Sequence, residues 1–174
     1  MPTHSKQTFS CCTLVGCGIF ICVYLLSGCS IFNSKSGPSK VAQFQQDISV
    51  GTEDISIAAV GLVDVPYLYG GNTPKGGFDC SGLIVYVYNK AAGIKLPRTI
   101  QQMSTQGRSI DNQPPASGDL VFFNTTGEKY SHVGIYVGQG RFVHTPSAGG
   151  TVRLDYITSP YWAAKFTEAR RIAK

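Results

Sequence analysis

Hydrophobic residues recur with a helical period in the first part of the folded chain. Residues 52–64 carry apolar side chains three or four positions apart, and residues 80–92 repeat that spacing. The pattern predicts two amphipathic helices, with Asp79 as the N-terminal cap of the second and Gly93 as its C-terminal stop. The sequence LPRTIQQMSTQG, which follows, predicts a loop and one short helix.

Beyond residue 119 the apolar residues come in short runs between turn-forming residues, which is typical of strands. The predicted strands are 120–123, 133–137, 141–144 and 152–154, followed by a helical turn at 161–164 and a last short strand near 169–172. Helices first and antiparallel strands afterwards predict the α+β class, with the strands arranged as a meander.

The N-terminal segment predicts export and attachment to a membrane. A 16-residue apolar stretch runs from Cys11 to Leu26, and Leu26 is also the first residue of the tetrapeptide LSGC, which ends at Cys29. Residues 1–28 are typical of a signal peptide, and LSGC resembles the lipobox of bacterial lipoproteins, in which Cys29 becomes the lipid-modified N-terminus. An uncleaved anchor is the alternative, although a membrane span needs roughly 20 residues. We expect residues 29–51 to form the lipidated N-terminus and a flexible tether, and residues 52–174 to form one domain.

The net charge argues against nucleic-acid binding, and the small number of possible metal ligands argues against a metal site. The formal charge of +5 becomes 14 − 10 = +4 once the predicted signal peptide, with Lys6, is removed. This excess is small and scattered, and no RNA-binding motif accompanies it, so we expect no nucleic-acid partner. The chain contains no C-x-x-C motif, and only two histidines follow the signal peptide. We therefore expect neither a metal site nor a cofactor.

Cys80 is the thiol whose role needs an explanation. If the signal peptide is removed and Cys29 carries lipid, Cys80 has no partner for a disulfide within the chain. Burial as a small apolar residue remains one interpretation. A nucleophile is the other, because the free N–H groups and dipole at a helix N-terminus favour the thiolate, although the charge of Asp79 opposes this.

His132 and His144 are the candidate bases for such a nucleophile. They lie in the predicted hairpin HVGIYVGQGRFVH, and a three-residue Gly-Gln-Gly loop would pair Val137 with Arg141. That register places both histidines on one face of the hairpin, whereas a loop of two or four residues places them on opposite faces. Gly134 would leave room where the imidazoles meet. The pattern favours a Cys–His pair whose base is oriented by the second histidine.

Tyr67 is a candidate oxyanion donor. It stands 13 residues before Cys80, at the start of a glycine-rich loop. Its hydroxyl and the backbone N–H of Cys80 could stabilise an oxyanion together. Alternatively, Tyr67 and Tyr69 are aromatic residues of the cleft wall.

Six segments in order give the domain a family resemblance. YLYGG, FDCSGL, LPRT, SGDLVFF, HVGIYVG and FVH follow one another as in the NlpC-type cysteine peptidases, over about residues 54–171. These proteins are bacterial cell-wall endopeptidases with a papain-like fold. The resemblance implies that Cys80 is the nucleophile, His132 the base and then acid, and His144 its orienting residue.

The same resemblance implies the oxyanion donor and the substrate. It gives Tyr67 the oxyanion role, although the loop from Tyr67 to Cys80 is one residue longer than in similar lipoprotein members, which leaves Tyr69 open. Asp79, Ser81 and Arg98 become candidate substrate-binding residues, with helix capping and bracing of the domain as their alternatives. The implied substrate is the stem peptide of peptidoglycan or its cross-link.

The residue after Cys29 indicates the membrane to which the protein is sorted, and two alternative functions stay open. Ser30 after Cys29 resembles lipoproteins sorted to the Gram-negative outer membrane, where the domain would face the periplasm. An acyltransferase or amidase on the same fold is one alternative function. A catalytically inactive lipoprotein that binds the cell wall is the other.

Overall fold

The computed structural model describes residues 51–110, 112–146 and 149–172. The predicted signal peptide, the lipid site Cys29 and the predicted tether up to residue 50 lie outside the described residues. Within the described ranges, no helix has both the length and the apolar character needed to cross a membrane.

Four helices occur in the described chain, and the first ends earlier than predicted. They are α1 (residues 51–60), α2 (Cys80–Ala92), α3 (Ile100–Met103) and α4 (Pro160–Ala163). The prediction extended α1 to residue 64. Asp64 has a left-handed φ of 72° and donates its backbone N–H to the carbonyl of Val152 at 2.9 Å. This contact with a distant segment replaces the last turn of the predicted helix.

Helix α2 has the bounds and caps that the sequence predicts. The Asp79 carboxylate accepts the backbone N–H of Gly82 at 2.7 Å, and Gly93 closes the helix in the left-handed conformation with φ 67°. Leu83, Ile84 and Val87 are fully buried. Both ends of α2 are therefore determined by local capping, which holds Cys80 in its first turn.

The strands form one six-stranded antiparallel sheet and one small hairpin. The strands are β1 (Asn72–Thr73), β2 (Gly77–Phe78), β3 (Arg108–Ser109), β4 (Leu120–Phe123), β5 (His132–Gly138), β6 (Arg141–His144), β7 (Arg153–Tyr156) and β8 (Phe166–Arg171). The sheet order is β3-β8-β4-β5-β6-β7, and β1 pairs with β2. Strands β4 to β7 form the predicted meander, whereas β8 returns to lie between β3 and β4. The two-residue strands β1, β2 and β3 were not predicted, because they carry no alternating pattern.

The central strand β4 is buried on both faces of the sheet. Leu120 and Phe122 belong to the core cluster that includes α2, while Val121 and Phe123 pack in a second cluster with Trp162 of α4. This division follows the two-residue period of β4, in which successive side chains point to opposite faces. Helix α2 packs against β5.

The turn between β5 and β6 is built differently from the prediction, but the register near the histidines is the predicted one. Tyr136 pairs with Phe142, whereas Gly138 pairs with Arg141, so the predicted pairing of Val137 with Arg141 is wrong. A bulge at Val137 adds one residue before a two-residue turn. A two-residue turn without this bulge would place the two histidines on opposite faces.

Gly134 has a different role from the one predicted. A Cβ atom at this position would lie 2.5 Å from Cδ2 of Phe142 and 2.9 Å from the carbonyl oxygen of Val143. The absent side chain therefore makes room for the phenyl ring of Phe142, and not for the imidazoles.

Candidate active site

Cys80 lies at the wall of a groove together with five other residues that the sequence singled out, Tyr69 among them. The groove has a volume of about 500 Å³, and Tyr67, Asp79, Cys80, Ser81 and Arg98 contribute to its lining. Cys80 itself is partly buried. The groove therefore combines the candidate nucleophile, the candidate oxyanion donor and the three candidate substrate-binding residues.

A network of polar contacts surrounds the thiol. Asp79 accepts the backbone N–H of Gly70 at 2.9 Å in addition to capping α2, and it forms an ion pair of 2.6 Å with Arg98. Arg98 also donates to the hydroxyl of Ser81. Asp79 thus joins the glycine-rich loop, α2 and the segment before α3 at the position of Cys80.

The resting Cys80 side chain is a thiol. Burial and the neighbouring Asp79 carboxylate raise its pKa, against the backbone N–H groups of Ser81 and Cys80 and the charge of Arg98, which lower it. The helix N-terminus acts in the predicted direction, but burial and Asp79 outweigh it.

The hydroxyl of Tyr67 keeps its proton at neutral pH. Burial and the nearby Cys80 and Asp79 raise the pKa of its hydroxyl. Its backbone N–H donates to the carbonyl of Gly150 at 2.8 Å, which anchors the start of the loop. Tyr69, the alternative tyrosine, is 88% exposed.

His132 and His144 share one face of the hairpin, as predicted. Nε2 of His132 lies 2.9 Å from Nδ1 of His144, and the two residues are 4% and 0% exposed. The indole of Trp162 stacks on His132 with ring centroids 5.4 Å apart. Packing therefore holds both imidazoles in fixed orientations.

Asp155 extends this pair, and the sequence analysis missed it. Its Oδ2 lies 2.9 Å from Nε2 of His144 and accepts the indole N–H of Trp162 at 2.9 Å. Arg153 donates to the same oxygen from Nε at 3.2 Å and from Nη2 at 3.0 Å. Burial raises the pKa of Asp155, but the hydrogen bonds from Trp162 and His144 and the charge of Arg153 outweigh this effect and lower it overall.

The sequence indicates a role for Asp155 only when the pairing of its strand with β6 is known. His144 pairs with Arg153 across β6 and β7, so Asp155 is the diagonal neighbour of His144 on the same face. The predicted strand 152–154 ended one residue before Asp155. Recognising the carboxylate requires the pairing of β6 with β7, which the periodicity does not specify.

The chain of contacts from Asp155 determines which ring nitrogens carry protons. Burial lowers the pKa of His132 to about 3 and that of His144 to about 4, so both rings are neutral at pH 7. The ionised Asp155 can only accept, so His144 carries its proton on Nε2 and accepts at Nδ1 from Nε2–H of His132. Nδ1 of His132 is then an unprotonated nitrogen, as a general base requires.

The candidate base and the thiol belong to elements that pack together. Cys80 is the first residue of α2, His132 is the first residue of β5, and these two elements are in contact. Among the described residues no hydrogen bond joins the two side chains. Within the same ranges, no three His, Cys, Asp or Glu side chains are grouped so that they could hold a metal ion.

Comparison with known proteins identifies relatives of this chain. The model of the NlpC/P60 family matches residues 64–171. The probable endopeptidase NlpC of Escherichia coli K12 is 36% identical over 159 residues, which cover 90% of this chain and 98% of that protein. The murein DD-endopeptidase MepH of the same strain is 39% identical over 110 residues, which cover 62% of this chain and 41% of that protein.

A solved structure agrees with these matches. The NlpC/p60 domain of the peptidoglycan hydrolase SagA has a TM-score of 0.60 and 30% identity, and the match covers 69% of this chain and 97% of that domain. Three of the curated relatives, MepH among them, are longer proteins, and the match covers only 30% to 44% of their length. The family match includes α2, the sheet and every residue of the two histidine strands, so the chain belongs to the NlpC/P60 family and has its papain-like α+β fold.

Proposed function

We propose that this protein is a cell-wall hydrolase, a cysteine endopeptidase that cleaves amide bonds in peptidoglycan stem peptides or their cross-links. The observation that carries the proposal is the chain from Asp155 through His144 to His132, which leaves Nδ1 of His132 as a free base. The relatives of this chain include a murein DD-endopeptidase and a peptidoglycan hydrolase, which supports this substrate class.

In the first step the Cys80 thiol attacks the carbonyl carbon of the scissile amide. Because the resting group is a thiol, its proton passes to Nδ1 of His132 as the S–C bond forms. The carbonyl oxygen becomes an oxyanion, which accepts hydrogen bonds from the Tyr67 hydroxyl and the Cys80 backbone N–H. Asp155, through His144, stabilises the imidazolium that results.

In the second step the tetrahedral intermediate collapses to a thioester. The imidazolium of His132 donates its proton to the leaving nitrogen, the C–N bond breaks, and the amine departs. Water then attacks the thioester and gives a proton to His132, and the S–C bond breaks. The proton returns to the sulfur, so the enzyme is regenerated without a metal or an organic cofactor.

Asp79, Ser81 and Arg98 form the polar wall on the acyl side of this reaction. Their mutual contacts place the Arg98 guanidinium, 41% exposed, beside the nucleophile. A cation at this position would bind a carboxylate of the acyl residue, because guanidinium groups match carboxylate geometry. The same contacts also brace the loop, so the two interpretations of these residues are compatible.

The membrane anchor belongs to the same proposal. A lipid on Cys29 and a tether with a reach on the order of 20–25 Å would hold the domain on the periplasmic side of the outer membrane, close to the wall. Substitution Cys29→Ser is expected to release the protein from the membrane fraction. Unchanged membrane attachment would favour the uncleaved anchor.

Digestion of purified peptidoglycan tests the activity itself. The wild-type protein and Cys80→Ala are incubated with sacculi and with isolated muropeptides, and the products are read by mass spectrometry. New carboxyl and amino termini at stem-peptide bonds, absent with Cys80→Ala, are expected, and they also identify the bond. Retained cleavage by Cys80→Ala would exclude the mechanism, products joined to an added amine would indicate an acyltransferase, and intact muropeptides would indicate an inactive wall-binding protein.

A further inference from the structure

A second cavity lies against His132. It neighbours the groove that contains Cys80, because the backbone N–H of Tyr67, in the groove, donates to the carbonyl of Gly150, which lines the cavity. It has a volume of about 640 Å³, and its walls include His132, Arg153, Thr125, Thr126, Tyr161 and Trp162. None of the residues that line this cavity also lines the groove beside Cys80. The proposed base and nucleophile therefore line two adjacent spaces.

The chemistry of thiol hydrolysis assigns one half of the substrate to each space, and this step rests on the proposed function. The acyl half stays bonded to the sulfur of Cys80, so it occupies the groove. The leaving amine takes its proton from His132, so its residue must lie next to that ring. The cavity at His132 is thus the space available for the leaving residue.

The cavity offers this residue one strong anion-binding group. Arg153 is the only charged residue among the described lining residues, apart from the titratable His132. Its Nε and Nη2 atoms both bind Asp155, while Nη1 makes no hydrogen bond to the described part of the chain. The Arg153 side chain is 52% exposed, so Nη1 can reach a ligand.

Arg153 forms an ion pair with Asp155, and a second cation lies close to the cavity. Lys165 lies 5.0 Å from the ring centroid of Tyr161, which is another lining residue. The charge of Arg153 acts at the catalytic base, because it contributes to the lowered pKa of His132. The lining residues within the described ranges include neither Asp nor Glu, so the carboxylate with which a bound anion would share Arg153 is Asp155, which binds Nε and Nη2 and leaves Nη1 for the ligand.

We propose that this cavity is the leaving-group subsite and that Arg153 binds a free carboxylate carried by the leaving residue close to its amine. The ligand class is an amino acid or diamino acid whose released nitrogen lies next to an unblocked carboxylate. Arg153 would then be a specificity-determining residue, since substrates that lack this carboxylate leave the guanidinium without its anion.

The test uses two peptide substrates with the same scissile bond. In one the leaving residue ends in a free carboxylate, and in the other it ends in a carboxamide. For the full-length wild-type protein we expect kcat/KM to be about 10-fold higher for the acid, the size of one partly exposed charge-assisted hydrogen bond. Arg153→Gln should abolish this ratio, and Arg153→Lys should retain part of it.

The ratio separates binding of the substrate from support of Asp155. Arg153→Gln also removes two hydrogen bonds to Asp155, so both substrates are expected to slow, and only the loss of preference reports the carboxylate contact. Arg108→Gln, at an exposed arginine on β3 at the far edge of the sheet, is the matched control and should keep the wild-type ratio.

Three results would overturn the inference. Equal kcat/KM for the acid and the carboxamide in the wild type would show that the protein does not recognise the carboxylate of the leaving residue. A preserved preference in Arg153→Gln would place the contact elsewhere and leave Arg153 as a support for Asp155. Cleavage of neither peptide would count against the proposed hydrolase itself, and the inference would fall with it, whereas equal cleavage counts against the subsite alone.

Discussion

His132 and His144 meet across two neighbouring strands, with 2.9 Å between Nε2 of the first ring and Nδ1 of the second. Because Asp155 accepts from the far nitrogen of His144, this contact has a direction. Protons point from His132 toward Asp155, and the lone pair remains on Nδ1 of His132. This direction of the two hydrogen bonds leads to predictions for the activity of Asp155 variants that can be measured.

Asp155 should affect catalysis without contacting the substrate. Asp155→Ala removes the acceptor that fixes the His144 tautomer, so we expect kcat to fall about 100-fold with little change in KM. Asp155→Asn keeps an acceptor oxygen but loses the charge, and should recover part of the rate. Steady-state kinetics on a muropeptide measures both.

Asp54→Ala, at an exposed position of α1, is the control and should behave as the wild type. An Asp155→Ala protein that is folded and has an unchanged kcat would contradict the role of this carboxylate.

Gly82 should be indispensable for the position of the nucleophile helix. A Cβ atom there would lie 2.0 Å from the carbonyl oxygen of Gly71, which is backbone and cannot rotate away. We expect Gly82→Ala to lower the free energy of unfolding by about 1–3 kcal/mol. Urea denaturation followed by circular dichroism measures this change.

Gly51 provides a helical control with open space around it. Within the described ranges, no atom lies within 4 Å of a Cβ built at this residue, so Gly51→Ala should be neutral or stabilise the domain by up to about 1 kcal/mol. Equal stabilities of the two alanine variants would show that the loop at Gly71 adapts without cost.

The two buried histidines should make the domain less stable in mild acid. In the unfolded chain histidine titrates near pH 6.5, whereas burial lowers the folded pKa to about 3 for His132 and about 4 for His144. Their contribution is therefore complete above about pH 6.5 and declines as the pH falls toward 4, because the unfolded state takes up protons. Between pH 7 and 5 the loss should be on the order of 1–2 kcal/mol for each histidine.

Urea denaturation at several pH values, with His144→Gln as the comparison, tests this dependence. The variant lacks one of the two titrating rings and should show a shallower decline. Asp79 and Asp155 have lowered pKa values and stay ionised above pH 5, so they do not contribute in this range. An identical pH dependence in both proteins would refute the assignment.

Alkylation should report a protonated Cys80 in the resting enzyme. Burial and Asp79 raise the pKa of this thiol, so the rate of reaction with iodoacetamide should reach half its maximum above the ordinary value of about 8.5. Mass spectrometry of the peptide that contains Cys80 follows the reaction.

Asp79→Asn should move this midpoint to lower pH, because it removes a negative charge and keeps an acceptor for the helix cap. Asp54→Asn is the matched control and should leave the midpoint unchanged. A wild-type rate that is already maximal below pH 7 would indicate a resting thiolate–imidazolium pair instead.

Local sequence signals predicted much of the domain and the neighbourhood of the two histidines. The carboxylate of Asp79 and the backbone freedom of Gly93 specify both ends of α2, since capping depends on neighbours within one turn. The bounds of β4 and β6 followed from turn residues on either side. The even register that brings His132 beside His144 was also predicted, although by a three-residue loop that does not occur.

Tertiary contacts determined the remainder, because each of these features depends on residues far apart in the chain. The end of α1 at residue 60 reflects the bond from Asp64 to Val152, and β8 takes its place between β3 and β4 by pairing with distant strands. The carboxylate of Asp155 reaches His144 only because β7 lies beside β6. By itself the sequence therefore determined which residues are candidates for the chemistry, the thiol and the two histidines, whereas strand pairing decided the direction of the hydrogen bonds, the contact of Asp155 with His144 and the cavity at Arg153.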